Sequence, residues 1–359
     1  MSIQVEQGGL LTTIQDGGRY GYQGFGMTPA GAMDLRSLQL ANLLVGNPLP
    51  EACLEVTMMG PKLLFTQNSV VAITGADLSP TLNGQPQKMY RAFAVKPGDR
   101  LAFGAPKAGC RAYIAFSGGL DLPPVLGSRS TLIRSHLGGL DGRKLKTGDC
   151  LLLNAPVLQG NLGGRSLPPE DFSSHQKRVR VILGPQDKRF TPESIQTFLS
   201  ADYQVTPQND RMGYRLDGPV LTHVGGPNII SDGISFGSVQ VPGNGTPIIM
   251  MADHQPTGGY TKIATVISTD LPLVAQCRAG DAIRFEAISI EQAHELYCAQ
   301  IRWLKELESA FSPFRQADGA WPVTEQECEE CAAVMAAVSA CARIPLHKLK
   351  FLRITPLES

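Results

Sequence analysis

Residues 237–260 read GSVQVPGNGTPIIMMADHQPTGGY, and the fold can be worked out from this stretch outward. Two clusters rich in Gly and Pro, 242–245 and 255–259, flank the apolar run 247–252, whose length is typical of a buried strand. Glycines let backbone N–H groups approach a ligand, so the pattern predicts a pocket. A hairpin-rich loop whose polar residues only stabilise its turns is the alternative. The polar residues at the two ends of the run are Gln240, Asp253, His254, Gln255, Thr257 and Tyr260.

The composition indicates a cytoplasmic protein of two domains. A chain of 359 residues is long for one hydrophobic core. Lys and Arg number 32 and Asp and Glu number 32, so the charge balance argues against binding to nucleic acid or to anionic membranes. The apolar segments are shorter than the roughly 20 residues needed to span a bilayer, and residues 1–9 lack the basic start and apolar run of a signal peptide. The eight cysteines are scattered among apolar neighbours, which favours reduced thiols over disulfides.

Short apolar runs separated by turns predict many strands. In the first segment these runs are 10–14, 62–65, 70–74, 100–103, 111–116 and 150–153, with one helix at 29–45 that ends at the Gly-Asn-Pro of 46–48. A polar connector without periodicity precedes a second strand-rich segment with a helix at 192–200. The predicted units are residues 1–156, a linker at 157–177, residues 178–288 and a helical tail at 289–359.

The tail is predicted to contain two helices. Residues 290–311 place apolar side chains on one helical face. Thr324 and Glu327 form a capping box before an Ala-rich helix at 326–342. The tail either packs on the rest of the chain or binds a partner, and packing is the commoner outcome.

The two strand-rich segments share a motif. Residues 13–22 and 206–214 both contain Thr-x-Gln followed by Asp or Asn, and then Arg-x-Gly-Tyr, if one residue is gapped. Gly-Asp turns lead into apolar strands at 97–101 and 279–283, and again at 147–151. We interpret the two segments as related β-rich barrels or sandwiches.

Each copy of the motif supplies an arginine beside acidic, amide or tyrosine groups. The planar guanidinium suits a carboxylate or phosphate, and a neighbouring Asp can orient it. An Arg–Asp pair that only holds a turn is the alternative in both copies. The residues are Asp16, Arg19, Tyr20 and Tyr22 in the first copy, and Asn209, Asp210, Arg211, Tyr214 and Arg215 in the second, followed by Asp232.

Two further patterns bear on chemistry. Asp253 and Gln255 can face one pocket if the chain bends there, with His254 a weaker candidate for a general base. Cys328-x-x-Cys331, with Cys341 and His347, invites a zinc interpretation, but the pair lies inside a predicted helix and thiols are favoured. The sequence contains neither the Gly-x-x-x-x-Gly-Lys-(Ser/Thr) phosphate loop nor an Ala-Met-Lys-Met biotinylation sequence.

Five ordered motifs resemble one protein family. They are GLLTTIQDGGR at 9–19, GAMD at 31–34, ANLLVGN at 41–47, GGLDLPPVLGSRST at 118–131 and GPQD at 184–187. In this order they resemble the C subunit of 5-oxoprolinase, a family also described as KipA-like, allophanate hydrolase subunit 2-like or biotin-dependent carboxyltransferase. The resemblance spans roughly residues 3–286. The helical tail lies outside it.

The resemblance implies a mainly β fold of two tandem cyclophilin-like β-barrel domains and a chain that is active only as part of a complex. Its implied partners are the KipI-like and the LamB/YcsF-type subunits of that complex, and the implied reaction opens 5-oxo-L-proline to L-glutamate with ATP, which a partner can hold. No metal is implied. This reaction needs cationic or N–H donors for the oxyanion and phosphate, for which Arg211, Tyr214 and Arg215 are candidates, and a carboxylate for proton transfer, Asp232 or Asp253. We therefore expect Arg211, Asp232 and Asp253 to be catalytic. The expected substrate-binding residues are Tyr214, Arg215, Gln240, Gln255, Thr257, Tyr260, Asp16 and Arg19.

Two alternatives stay open. The chain can be a carboxyltransferase component that binds carboxybiotin and an amide such as urea, with the biotin carrier on another chain. It can also be a KipA-like regulatory protein that captures a KipI-like kinase inhibitor without any chemistry of its own.

Overall fold

The computed structural model describes residues 2–155, the N-terminal half, and 164–311, the C-terminal half. The N-terminal half comprises β1 (Ser2–Gln7), β2 (Leu11–Gln15), α1 (Leu35–Val45), β3 (Cys53–Thr57), β4 (Lys62–Phe65), β5 (Ser69–Asp77), β6 (Pro80–Leu82), β7 (Gln85–Pro86), β8 (Ala92–Val95), β9 (Arg100–Phe103), β10 (Ala108–Phe116) and β11 (Cys150–Leu152). The C-terminal half comprises β12 (Gln176–Leu183), α2 (Pro192–Ser200), β13 (Asp202–Asn209), β14 (Gly213–Asp217), β15 (Asn228–Gly233), β16 (Ser238–Val241), β17 (Ile248–Met250), β18 (Thr257–Val266), α3 (Leu271–Ala275), β19 (Ala282–Ala287) and α4 (Ile290–Phe311). The mainly β prediction with a C-terminal helix is confirmed.

The N-terminal half consists of two sheets packed on a shared core. Their strand orders are β11-β1-β4-β9-β6-β7 and β2-β3-β10-β5-β8. Alternation along the strands sends every second side chain inward, as Leu63 and Phe65 on β4 illustrate. These side chains meet Ile14, Val56 and Ile114 from the second sheet in one buried apolar cluster.

The C-terminal half is one curved sheet. Strands follow the order β12-β19-β13-β14-β17-β16-β18-β15, and β12 also pairs with β18. Seven strands therefore close a ring of pairings while β15 stays outside it, and the N-terminal half has two separate sheets, so the sheets are not strictly barrels. The pairing of β12 with β19 is parallel, and the other pairings within this sheet are antiparallel. Met33 of the N-terminal half is fully buried in the core of this sheet, so the two halves share apolar packing.

Three of the predicted helices lie within the described residues. The helix predicted at 29–45 begins later, at Leu35, because Ala30 and Gly31 adopt positive φ angles and Asp34 caps the helix by accepting from Ser37 N. It ends at Gly46 as predicted, in a left-handed cap. The helices predicted at 192–200 and 290–311 are confirmed as α2 and α4. Helix α3 was not predicted.

The strand predictions are correct in position and less so in length. Residues 62–65 and 100–103 coincide with β4 and β9, whereas β5 and β10 extend beyond their predicted runs. The apolar run 247–252 forms a shorter strand, β17, because the chain turns at Ala252. The predicted helix at 326–342 and the Cys328-x-x-Cys331 pair lie outside the described residues.

Helix α4 follows the C-terminal sheet but packs on the N-terminal half. Leu304 is 2 % exposed and lies against Leu40 and Leu43 of α1 and against Tyr90. Part of the predicted linker also contacts this half, since Leu167 N donates to Tyr90 O at 2.9 Å. The unit boundaries at 156, 177 and 288 remain a prediction.

Helix length and hydropathy bear on membrane insertion. Of the helices in residues 2–155 and 164–311, none is both long and apolar enough to cross a bilayer.

Leu304→Ala is expected to lower the free energy of unfolding by about 2–5 kcal/mol, because the shortened side chain leaves a cavity between α4 and α1. Glu306→Ala on the exposed face of α4 is the matched control and is expected to stay within about 0.5 kcal/mol of wild type. Urea unfolding followed by circular dichroism measures both. Equal effects of the two substitutions would show that α4 does not depend on this contact.

Candidate functional site

The second copy of the motif forms a tight bend between β13 and β14. Asp210 Oδ1 accepts from Met212 N at 2.8 Å and from Gly213 N at 3.2 Å, which fixes the bend. The Arg211 side chain between them is only 5 % exposed. Its Nε and Nη2 donate to the two carboxylate oxygens of Asp253 at 3.0 and 2.9 Å, a bidentate ion pair.

Arg211 also joins the two halves of the chain. Its Nη1 donates to Glu55 Oε1 at 2.5 Å and its Nη2 to Gly31 O at 2.6 Å. The other oxygen of Glu55 accepts from Met33 N at 2.9 Å and from the Tyr113 hydroxyl at 2.8 Å. Glu55 is 1 % exposed, so this ion cluster of Arg211, Asp253 and Glu55 is enclosed by protein.

A second set of polar contacts lies beside the ion cluster. Arg111 Nη1 donates to the hydroxyl of Tyr214 and, at 2.5 Å, to Ala275 O. Gln276 Oε1 accepts from the backbone N–H groups of Cys110 and Arg111 where the pairing of β10 with β5 shifts register. Gln276 Nε2 donates to Asp34 Oδ2 at 2.9 Å. These contacts satisfy backbone groups that the strand irregularity would otherwise leave unpaired.

Burial is the largest single influence on the pKa values of Asp253, Arg211 and Tyr214. It raises the pKa of Asp253 above its ordinary value, although the charge of Arg211 acts in the opposite direction. Burial alone would lower the pKa of Arg211, but the charges of Asp253 and Glu55 outweigh it and raise this pKa. Burial also raises the pKa of Tyr214, so its hydroxyl stays protonated. Arg211 therefore remains a cation.

Asp16 and Arg19 of the first copy are also buried but contact a different part of the chain, whereas Tyr20 and Tyr22 are exposed. Arg19 Nε donates to Val125 O at 2.9 Å and Nη2 to Ser130 O at 2.8 Å. Asp16 accepts from Ser128 Oγ at 2.7 Å and from Arg129 N at 2.5 Å. Both side chains thus fasten the loop at 125–131, and Asp16 also accepts from Gly18 N. Burial lowers the pKa of Arg19, while the charges of Asp16 and Asp253 act to raise it.

Asp232 lies apart from the ion cluster, on the outer strand β15. Its side chain is 53 % exposed, and Oδ2 accepts from Lys262 Nζ at 2.8 Å. This hydrogen bond holds the pKa of Asp232 below its ordinary value. Within the described residues, the polar contacts of Asp232 are with Lys262, Gln186 and Gly233, and none is with Arg211 or Asp253. The structure therefore does not bring the three predicted catalytic residues together.

The other predicted residues fall in several places. Tyr214 is fully buried in the interface, whereas Arg215, next on β14, points to the exposed face. Thr257 and Tyr260 are exposed on β18, where they flank β15. The chain turns at 252–253, as required for Asp253 and Gln255 to face one way, and Gln255 O accepts from His254 Nδ1 at 2.8 Å.

Gln240 belongs with the outer strands. It is 3 % exposed, and its Nε2 has no partner among the described residues. A side chain at Gly258 would approach this Nε2 to 3.0 Å, so glycine makes room for the amide. Lys262 was missed by the sequence analysis. Its sequence signal is a lysine directly before the apolar residues Ile263 and Ala264 of β18.

Two surface cavities lie away from these residues. One of about 220 Å³ is lined by Arg36, Arg180 and Trp303 among others, where α4 meets both halves. Another of about 510 Å³ lies beside residues 86–94. None of the predicted site residues lines either cavity.

Known proteins match this chain over most of the two halves. The family model of the carboxyltransferase domain, subdomain A and B, matches residues 25–287. The chain is similar to the C subunit of 5-oxoprolinase from Escherichia coli K12, with 36% identity over 305 residues that cover 85% of this chain and 97% of the relative. It is also similar to the C subunit of 5-oxoprolinase from Haemophilus influenzae, with 38% identity over 297 residues, 81% of this chain and 94% of the relative.

A solved structure shares this architecture. The K. lactis urea amidolyase crystal structure superposes with a TM-score of 0.78 at 33% sequence identity, over 91% of this chain. The match covers 20% of the urea amidolyase, so this chain is similar to one part of a much longer protein.

Arg211→Ala is expected to lower the free energy of unfolding by about 3–5 kcal/mol, because Asp253 would stay buried without its cation and Glu55 would keep only the more distant Arg111, at 4.0 Å. Arg211→Lys keeps the charge but loses the bidentate geometry, and a smaller loss is expected. The exposed Arg215→Ala is the control, expected within about 0.5 kcal/mol of wild type. Urea unfolding midpoints provide the measurement. A wild-type midpoint for Arg211→Ala would mean that the cluster does not stabilise the interface.

His254 is expected to make the fold sensitive to mild acid. Burial lowers its pKa below the ordinary value of 6.5, so below that pH the unfolded chain binds a proton that folded His254 does not. Stability is therefore present above pH 6.5 and is lost as the pH falls towards the folded pKa. His254→Asn should reduce the difference between urea midpoints at about pH 7.5 and about pH 5.5, on either side of the ordinary histidine pKa. His136→Asn, at an exposed position, should leave that difference unchanged.

Proposed function

The chain belongs to the family of the carboxyltransferase domain, subdomain A and B, and on this premise we propose that it is one of the subunits of a 5-oxoprolinase complex. The complex would open 5-oxo-L-proline to L-glutamate at the expense of ATP. One observation carries this proposal: the match extends over 97% and 94% of the two 5-oxoprolinase relatives, but over 20% of the urea amidolyase.

The proposed reaction needs an activated lactam carbonyl and a carboxylate for proton transfer. A lactam carbonyl is resonance-stabilised, and phosphorylation of its oxygen by ATP makes the carbon electrophilic. Water can then attack this carbon, and the C–N bond breaks as the nitrogen takes a proton. A second water hydrolyses the resulting acyl phosphate to the carboxylate and phosphate. Asp232 is the proposed carboxylate, because it is ionised and more than half exposed.

The ion cluster fits a structural role better than a ligand-binding one. Four of the five N–H donors of Arg211 already bind Asp253, Glu55 and Gly31. Tyr214, a predicted substrate-binding residue, is fully buried. These residues therefore do not fit a phosphate group, and we propose that a partner protein of the complex holds ATP. Arg211 and Asp253 would hold the two halves in register.

A specific observation favours a second candidate function. The similarity to urea amidolyase supports a carboxyltransferase component that works with a biotin carrier on another chain. In that system the exposed carboxylate of Asp232 would face an amide such as urea. The two candidates differ in the co-substrate that turnover requires, ATP with 5-oxoproline or carboxybiotin with urea.

Mixing the chain with its KipI-like and LamB/YcsF-type partners is expected to release phosphate and glutamate from ATP and 5-oxo-L-proline, while the chain alone releases neither. Asp232→Asn should lower kcat by roughly 10²- to 10⁴-fold, as loss of a general acid–base group does. Asp217→Asn, an exposed aspartate of the same half, is the control and should leave kcat unchanged.

Two results would contradict the proposal. Carboxybiotin-dependent transfer to urea without glutamate release would favour the second candidate. A stable complex with the KipI-like partner that shows neither activity would favour regulation without chemistry.

A further inference from the structure

Lys262 is a buried cation that has no role in the reaction proposed above. Its side chain is 1 % exposed, and Nζ donates to Asp232 Oδ2 at 2.8 Å and to Gly233 O at 2.9 Å. A buried ammonium is costly unless it is paired and hydrogen-bonded, and these two contacts supply both. The cation therefore depends on the segment of β15 that carries Asp232.

Asp232 accepts hydrogen bonds from other groups besides Lys262. Gln186 Nε2 donates to Asp232 Oδ2 at 3.3 Å, and Gln186 Oε1 accepts from the backbone N–H of Lys262 at 3.0 Å. Asp232 Oδ1 accepts from Gly233 N at 2.8 Å. A carboxylate offers about four acceptor positions, so three donors leave capacity for one more on the exposed side.

Among the ion pairs in the described residues, this pair alone combines an enclosed cation with an exposed carboxylate. In Arg143–Asp141 the carboxylate is also the more exposed partner, but its cation is 27 % exposed. In Arg143–Asp149 and Arg180–Asp270 the cation is the more exposed partner, and in Arg211–Asp253 both partners are buried. In Lys262–Asp232 the cation is enclosed and the carboxylate is 53 % exposed. Such an arrangement presents a fixed carboxylate to solvent rather than closing a turn.

We infer that Lys262 is a positioning residue, which holds Asp232 as an ionised acceptor for the N–H group of a lactam or amide substrate. The inference rests on the proposed function for the identity of that substrate. A lactam places its N–H and its carbonyl on the same edge of the ring. Asp232 would bind the N–H and so orient the adjacent carbonyl carbon for attack.

The position of Asp232 on β15 agrees with this role. Asp232 pairs with Gly258 of β18, and Gly233 pairs with the exposed Thr257. A side chain at Gly233 would meet no heavy atom within 4 Å, so a small ligand can approach the carboxylate there, whereas the space at Gly258 is filled by Ile234 and Gln240. The unpartnered Nε2 of Gln240 lies beside Gly258 on the same strands.

The test compares Lys262→Met with Lys177→Met. Lys177 is the matched control, a lysine that is 5 % exposed in the same half, whose Nζ donates to Phe172 O and to no carboxylate in the described residues. Both substitutions remove a buried ammonium, so both are expected to lower stability. Lys262→Arg tests whether a positive charge at this position is enough to keep Asp232 functional as an acceptor.

Calorimetry on the assembled complex would compare 5-oxo-L-proline, its N-methyl derivative and urea. Wild type is expected to prefer the N–H lactam over the N-methyl lactam by roughly 10- to 100-fold, the range for a hydrogen bond to a charged group. Asp232→Asn and Lys262→Met should abolish this preference, and Lys177→Met should keep it. In turnover, Lys262→Met should also move the acid limb of the pH–rate profile to higher pH, which a loss of stability alone does not do.

The outcomes separate this inference from the proposed function. Equal binding of the two lactams by wild type would overturn the inference and leave 5-oxoproline hydrolysis standing. Binding of urea in place of the lactam, with the same dependence on Asp232 and Lys262, would support the inference and overturn the 5-oxoprolinase assignment. An unchanged N–H preference in Lys262→Met would overturn the positioning role, and so would failure of every N–H ligand to bind wild type.

Discussion

One guanidinium shared between carboxylates of the two halves constrains the rest of the structure. Arg211 from the bend after β13 binds Asp253 of its own half and Glu55 of the other. In a low-dielectric interior, each of these charges is tolerated only because the others are in place. Glu55 must therefore face the interface from β3, the backbone at Gly31 must expose its carbonyl, and the chain must turn at Asp253. Packing of Met33 into the C-terminal core follows from the same placement.

Charges that hold the halves together are poor candidates for changing their partners during a reaction. The interface accordingly contains groups whose hydrogen bonds are nearly all made, while the half-exposed carboxylate lies on β15, outside the ring of seven strands. The ring provides rigid neighbours, β16 and β18, and the outer strand provides access. Structural and proposed chemical roles thus occupy different parts of the C-terminal half.

The helices and motifs that could be predicted from the sequence are those whose signals lie in neighbouring residues. Thr191 before Pro192 indicates the start of α2, and Gly46 ends α1 as expected. The repeated motif also located both buried arginines. Their partners could not be found in this way, because Glu55 and Arg211 are 156 residues apart and Gln276 reaches Cys110 across 166. Local pattern also cannot show that Lys262 points inward, since a lysine on a strand usually faces solvent.

The separation between Glu55 and Arg211 has a consequence for synthesis on the ribosome. At about 5–20 residues per second, Arg211 emerges on the order of ten seconds after Glu55. During that interval Glu55 has no cation from the second half, and the backbone N–H groups of Cys110 and Arg111, at the register shift of β10, have no Gln276 to bind. We expect the nascent first half to keep this face hydrated until translation passes residue 276. The first half therefore completes its hydrogen bonds only after the second half has been synthesised. If the ribosome stalls between the two halves, the face around Glu55 stays exposed and accessible to chaperones.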